Sequence, residues 1–134
     1  MKKLAFLIYF ILIFSPFYLN AQTADYKAKT EDGIQKVRIT ATEYSFTPDR
    51  ISVKVNIPVE LSVSKKAGLV PHNITLNAPE AGIDFSEALS TEPVIIKFTP
   101  TKAGEYHFFC NKKLPFSKSH REKGMEGILI VNEE

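Results

Sequence analysis

Residues 104–131 read GEYHFFCNKKLPFSKSHREKGMEGILIV, and they combine two strand-like segments with a dense group of metal-ligating side chains. Residues 105–109 and 128–131 are rich in aromatic and β-branched residues, which are typical of strands. Cys110, His120 and Met125 lie between them. This stretch therefore predicts two strands joined by a long loop that carries thiol, imidazole and thioether groups.

Alternation of apolar and polar residues continues outside this stretch and marks further strands with one face on a core. The segments that show it or resemble it are residues 37–41, 51–55, 59–63, 73–76 and 94–98. Glycine and proline lie between the segments, as expected for turns. We therefore predict an all-β, antiparallel sandwich of about seven to eight strands. Residues 79–92 lack clear alternation, and we expect a loop with a short helical turn there.

The N-terminus has the order of features of a secretory signal peptide. Two lysines precede the apolar run 4–14, and Ser15-Pro16 and the small residue Ala21 follow it. We predict cleavage after Ala21 and export to the periplasm or another extracytoplasmic space. The alternative is an uncleaved N-terminal anchor, because Leu19 is large for its place in a cleavage site. In the mature form we expect no membrane span unless the signal stays attached.

Beyond the predicted signal peptide, 113 of the 134 residues remain, which is enough for one domain. Residues 22–35 are polar, and we expect a flexible lead or a loosely attached first strand. Residues 36–134 then form the domain, which we expect to be monomeric. The mature chain has 15 basic and 15 acidic residues, since the signal peptide holds two of the 17 basic ones. A net charge of zero argues against nucleic acid as the main partner.

The chain has one cysteine and therefore cannot form an internal disulfide. An exported thiol is open to oxidation, so a ligand that occupies Cys110 would protect it. In chain order the sequence offers His72, Cys110, His120 and Met125. Two imidazoles, a thiolate and a weak axial thioether are the ligands of a blue-copper electron-transfer site, whereas zinc more often recruits a fourth strong ligand. Alternation puts His107 on the opposite face of its strand from Cys110.

Four motifs resemble those of the cupredoxins, the family that includes plastocyanins and azurins. Residues 104–110 are similar to the G-x-Y-x-F-x-C strand of plastocyanins, and residues 120–127 to the H-x4-M-x-G stretch that leads into the last strand. Residues 70–73 read VPHN, which resembles the segment that carries the first ligand. Residues 44–53 resemble the opening F-x-P-x-x-I-x-V pattern. Nine residues separate Cys110 from His120, which is more than the two of plastocyanins or the four of azurins.

The resemblance implies a Greek-key β-sandwich that binds one copper ion per chain, cycles between Cu(I) and Cu(II), and carries single electrons between redox partners. Cys110 would bind as a thiolate, His72 and His120 as neutral imidazoles, and Met125 as the axial ligand. Asn73 would form a hydrogen bond to the ligand loop. His120 would present its ring edge at the protein surface, beside residues 114–116.

Other functions remain open at this point. A copper-delivery protein of the same fold would use the same ligands. A catalytic copper site of the nitrite reductase type needs further histidines, and only His107 is left over, so we expect no enzyme. A dinuclear copper site needs a second cysteine, and a cysteine hydrolase needs a recognisable third catalytic residue. Residues 111–126 carry five basic and two acidic residues, so we expect an acidic redox protein as the partner.

Overall fold

The structure, a computed structural model, describes residues 24–133, so the predicted signal peptide at residues 1–21 lies outside the described residues. Within this range no helix is long and apolar enough to cross a membrane. In residues 24–133, eleven strands form two sheets, with one 3-10 turn at Pro79–Ala81. The strands are β1 (Tyr26–Lys27), β2 (Lys29–Glu31), β3 (Ile34–Ala41), β4 (Phe46–Thr47), β5 (Arg50–Lys54), β6 (Val59–Lys65), β7 (His72–Ala78), β8 (Ile83–Leu89), β9 (Val94–Phe98), β10 (Gly104–Phe109) and β11 (Glu126–Asn132).

The two sheets form the predicted all-β, Greek-key sandwich. The first sheet has the order β1-β5-β11-β10-β7-β8, and the second has the order β2-β3-β6-β9 with β4 on β3. Most strand pairs are antiparallel, as predicted, but β5 pairs in parallel with β1 and β11, and β3 pairs in parallel with β6. The chain leaves the second sheet after β4, forms β5 in the first sheet, and returns as β6. This crossover brings β6 back in the direction of β3.

Two regions contain more strand than the sequence predicted. The segment 79–92 has the expected helical turn, but it also contains β8, which pairs along its whole length with β7. Strand structure also begins at Tyr26, within the segment 22–35 for which the sequence left open a flexible lead or a loosely attached first strand. The short strands β1 and β2 attach residues 26–31 to β5 and β3.

The core lies between the sheets and is built mainly from alternate residues of the longer strands. The second sheet contributes the buried side chains of Ile39, Val63 and Ile96, and the first sheet those of Ile51, Ile74 and Leu129. Burial of each such side chain contributes about 1.5–3 kcal/mol to stability. Period two in the sequence therefore corresponds to the pleat of the strands.

One end of the first sheet collects the predicted ligands. β10 is antiparallel to both β7 and β11, so the end of β10 lies beside the beginnings of the other two strands. Cys110 directly follows β10, His72 begins β7, and Met125 directly precedes β11. The topology thus places three of the four predicted ligands at one edge, and the loop between β10 and β11 supplies His120.

Candidate metal centre

Three buried side chains bring their donor atoms together at this end of the sandwich. Nδ1 of His72 lies 3.2 Å from Nδ1 of His120, and Sγ of Cys110 lies 4.0 Å and 3.4 Å from these two atoms. Donors that surround one ion in a trigonal plane at about 2.0–2.3 Å lie about 3.5–4 Å from one another. The size of the triangle therefore fits a single metal ion bound by two imidazoles and a thiolate.

Met125, the fourth predicted ligand, is fully buried beside this cluster. Its carbonyl oxygen accepts the N–H of Cys110 at 3.1 Å, and its own N–H donates to the carbonyl of His120 at 3.0 Å. These two hydrogen bonds fix the backbone of Met125 between the cysteine and the histidine. The structure therefore brings all four predicted residues into one buried region.

Burial lowers the pKa of both histidines below the ordinary imidazole value, with smaller contributions from nearby positive charge. Charge on an imidazole is disfavoured where water is excluded. Each ring is therefore held neutral, which is the form that binds a metal.

Asn73 forms the expected hydrogen bonds to the ligand loop. Its side-chain carbonyl accepts the N–H of Asn111 at 2.9 Å, and its amide donates to Oδ1 of Asn111 at 2.8 Å. Its backbone N–H also donates to Sγ of Cys110 at 3.4 Å. A donor of this kind stabilises negative charge on the sulfur. Asn73 thus joins β7 to the start of the loop and places a backbone N–H against the sulfur of Cys110.

The long loop after Cys110 is closed at its base. The N–H of His120 donates to the carbonyl of Lys112 at 2.8 Å, and Lys113 and Ser119 form an isolated β-bridge. We call residues 113–119 the arm. Its tip carries Leu114 and the fully exposed Phe116. The extra length between Cys110 and His120 is therefore taken up outside the site, and it does not separate the two ligands.

A turn after the arm holds His120 in place. Ser119 and Glu122 bond reciprocally, since each backbone N–H donates to the side-chain oxygen of the other at 2.7 Å and 3.2 Å. The N–H of Lys123 then donates to the carbonyls of Ser119 and His120. The pattern S-x-x-E is a capping box. It is readable in the sequence and was missed, although it supports a ligand.

The prediction that His120 presents a ring edge at the surface is wrong, because His120 is fully buried. The ring of Tyr44 packs edge-on against it, with 5.1 Å between centroids and 74° between planes. The ammonium of Lys123 lies 4.4 Å from the centroid of Tyr44 and donates to its hydroxyl at 3.3 Å. The sequence showed Tyr44 as part of a fold motif, but it did not indicate this covering role.

His107 lies apart from the cluster, as predicted. Its side chain is about half exposed, and its Nδ1 lies 2.9 Å from a carboxylate oxygen of Glu126. The other oxygen of Glu126 pairs with Arg121, whose guanidinium lies 4.0 Å over the ring of Phe109. These contacts fasten the turn after His120 to the outer face of β10.

The fold and the buried His-Cys-His cluster are typical of copper-binding proteins built on a β-sandwich. Known proteins that resemble this chain have the same character. The chain matches the model of the cupredoxin-like domain over residues 6–131 and therefore belongs to that family. No curated protein matches it significantly.

Solved structures resemble the chain over most of its length. The metal-binding domain of the Cu(I)-exporting P-type ATPase CopA of Streptococcus pneumoniae D39, solved with Cu(I), is 30% identical, with 83% of this chain and 98% of that chain covered and a TM-score of 0.62. A copper-binding protein solved by NMR in the apo form is 23% identical over 81% and 98%, with a TM-score of 0.61. Auracyanin A, a blue copper protein of Chloroflexus aurantiacus, is 21% identical over 75% and 100%, with a TM-score of 0.55. The last two similarities concern the fold alone.

Proposed function

We propose that this chain is an exported protein that binds one copper ion through His72, Cys110 and His120, with Met125 as the axial ligand, and carries single electrons between redox partners. The observation that carries the proposal is the buried triangle of two Nδ1 atoms and one Sγ atom, with sides of 3.2, 3.4 and 4.0 Å. This donor set matches blue copper in both type and spacing.

The residues of the chain supply a rigid and preformed site. Asn73 donates to the sulfur of Cys110, the two imidazoles are held neutral, and the base of the arm fixes the position of His120. Bound copper supplies a one-electron couple. Because hydrogen bonds hold the ligand segments in one arrangement, the protein has little to rearrange when the charge of the site changes.

Visible absorption of the purified protein with Cu(II) tests the ligand set. We expect an intense sulfur-to-copper charge-transfer band that Cys110→Ser abolishes and that His107→Ala leaves intact. The second variant is the matched control, since His107 is a histidine on the same strand outside the cluster. A colourless complex with only weak bands would contradict the proposal.

A second candidate is copper delivery, which is favoured by the 30% identity to a domain described with Cu(I). The two functions differ in what is transferred. An electron carrier retains its copper through repeated oxidation and reduction, whereas a delivery protein gives the ion to an acceptor. Cyclic voltammetry followed by metal analysis of the recovered protein, with and without an apo acceptor domain, separates them.

The proposal assigns no catalysis to the chain. His72, Cys110 and His120 are the only group of three or more metal-ligating histidine, cysteine or acidic side chains in residues 24–133. His107 pairs with Glu126 on the outer face of β10. A second metal centre of the kind that copper reductases need therefore has no support among the described residues.

A further inference from the structure

The four proposed ligands are not covered equally. Cys110, His120 and Met125 are each 0% exposed, whereas His72 is 5% exposed. An ion at the centre of this group therefore has its thinnest protein cover at His72. The two sides of the site, at His120 and at His72, differ in what covers them.

The side at His120 is closed by two layers. Tyr44 lies directly against the imidazole ring, and Lys123 lies over the outer face of Tyr44. The hydrogen bond from Lys123 to the tyrosine hydroxyl holds the second layer in position. An ion would have to displace both side chains in order to leave on this side.

The side at His72 adjoins a cavity of about 310 Å³. The cavity is lined by residues 66–70 together with Thr42, Glu43 and His72. Residues 66–70 belong to no strand, and Leu69 is fully exposed. The cavity thus connects His72 to the surface, and a single irregular segment forms most of its wall.

Lys65, the last residue of β6, holds this segment in place. Its ammonium donates to the carbonyl of Gly68 at 2.9 Å and to that of Val70 at 3.1 Å. Two charge-assisted hydrogen bonds therefore fix the segment 66–70 beside His72. The N–H of Lys66 also donates to the carbonyl of Ala41 at 2.9 Å, which holds the start of the segment. Residues 67–70 lie beyond this bond, so loss of the lysine contacts would let them move.

We propose that the copper ion enters and leaves its site through this cavity, past His72, and that Lys65 sets how readily the route opens. This inference rests on the proposed function, because it concerns exchange of the same ion. Among the residues that line the route, Thr42 is polar and Glu43 is acidic. The route applies both to loading of an electron carrier and to delivery of copper.

The test measures how fast Cu(I)-loaded protein gives its ion to excess bicinchoninate, which forms a coloured Cu(I) complex. Lys65→Met should speed the first-order transfer by about tenfold, because it removes two hydrogen bonds from the segment. Ala67→Phe, which adds bulk inside the cavity, should slow it by a similar factor. Ala67→Phe should leave the equilibrium affinity for Cu(I) unchanged, because a route alters entry and exit alike. Lys65→Met also removes a positive charge that acts on His72. Loss of that charge favours retention of a cation, so faster transfer in this variant reports the route.

Two control variants separate this route from the opposite side. Leu114→Phe adds similar bulk to the exposed arm and should leave the rate unchanged. Acceleration by Tyr44→Ala, with no slowing by Ala67→Phe, would show that the ion passes His120 and would overturn the inference. Wild-type protein that retains no Cu(I) would instead refute the proposed function.

A second measurement, which needs no copper, keeps the test decisive if Ala67→Phe impairs copper loading. In the apoprotein, iodoacetamide must reach Cys110, whose sulfur is buried 4.0 Å from Nδ1 of His72. Mass spectrometry should show faster alkylation of Lys65→Met and slower alkylation of Ala67→Phe. Equal alkylation rates in wild type and both variants, with folding confirmed by circular dichroism, would contradict the route.

Discussion

Asn73 acts on the site through a single amide group that both accepts and donates. Removal of this amide would leave the partly buried N–H of Asn111 without its present partner. Asn73→Ala should therefore lower the free energy of unfolding of the apoprotein by about 1–3 kcal/mol. Urea denaturation measures the loss. Asn77→Ala is the matched control, because Asn77 lies on β7 like Asn73 but is exposed, and its side chain bonds Asp84 of β8. The effect of this variant on the free energy of unfolding should stay within about 0.5 kcal/mol.

Met125 is expected to bind the metal through a long and weak axial bond. A weak thioether ligand donates little to Cu(II) and so favours Cu(I), whereas an amide oxygen donates more strongly. Met125→Gln should therefore lower the reduction potential while copper stays bound. Voltammetry of the two proteins gives the answer. An unchanged potential would mean that Met125 fills the core beside the site without acting as a ligand.

Among the strand elements, β11 depends on a glycine at its second position. A Cβ atom at Gly127 would collide with the ring of Phe108 and lie 2.6 Å from the carbonyl of Asp49. Gly127→Ala should therefore force β10 and β11 apart and cost about 1–3 kcal/mol of unfolding free energy. Gly68→Ala provides the control, since nothing lies within 4 Å of its added Cβ. Equal denaturation midpoints for the two variants would refute this explanation.

The turn at residues 119–124 depends on the reciprocal pair of Ser119 and Glu122. Ser119→Ala should destabilise the apoprotein by about 1 kcal/mol, as for loss of a cap. Hydrogen bonds from the Ser119 backbone and hydroxyl lower the pKa of Glu122. Its contribution to stability is thus present at neutral pH and is lost as the pH falls through the lowered pKa. Glu122→Gln keeps an acceptor, so denaturation curves between pH 3 and 7 should show less pH dependence for this variant.

Whether a strand could be predicted from the sequence depended on its length and on its position in the sheet. Seven strands were readable because each is long enough to show alternation above a core. β8 was missed because its alternation fails at Glu87 and Ala88, where both side chains are exposed on an edge strand. β1, β2 and β4 have only two or three residues, which is too few for a period. Parallel pairing depends on the crossover between sheets, and alternation does not report it.

The sequence indicated which residues would form the candidate site, but it did not indicate that His120 would be buried. Ligand types and their order along the chain identified four residues, because few metal sites use that set. The burial of His120 depends on Tyr44, which the fold brings from a distant segment. No local pattern around His120 encodes that contact. The closure of the arm at Lys112 is likewise a tertiary feature.

Charge is unevenly distributed over the whole molecule. Residues 111–126 carry five basic and two acidic side chains, although residues 22–134 are neutral in total. We expect an acidic redox partner to associate faster with this end, and its rate to fall as salt screens the field over about 10 Å at 0.1 M. Stopped-flow electron transfer with an acidic cytochrome measures this. Lys112→Glu combined with Lys113→Glu should remove the salt dependence of the association rate. An association rate that changes neither with salt nor with this charge reversal would exclude electrostatic steering.

The closed base of the arm has a consequence for how the chain tolerates change. Since the bond between Lys112 and His120 fixes both ends, residues 114–118 contribute nothing to the spacing of the ligands. The entropic cost of lengthening a surface loop grows only with the logarithm of its length. The tip is therefore a natural insertion point, where an epitope or a labelling tag can be grafted without altering the proposed metal centre.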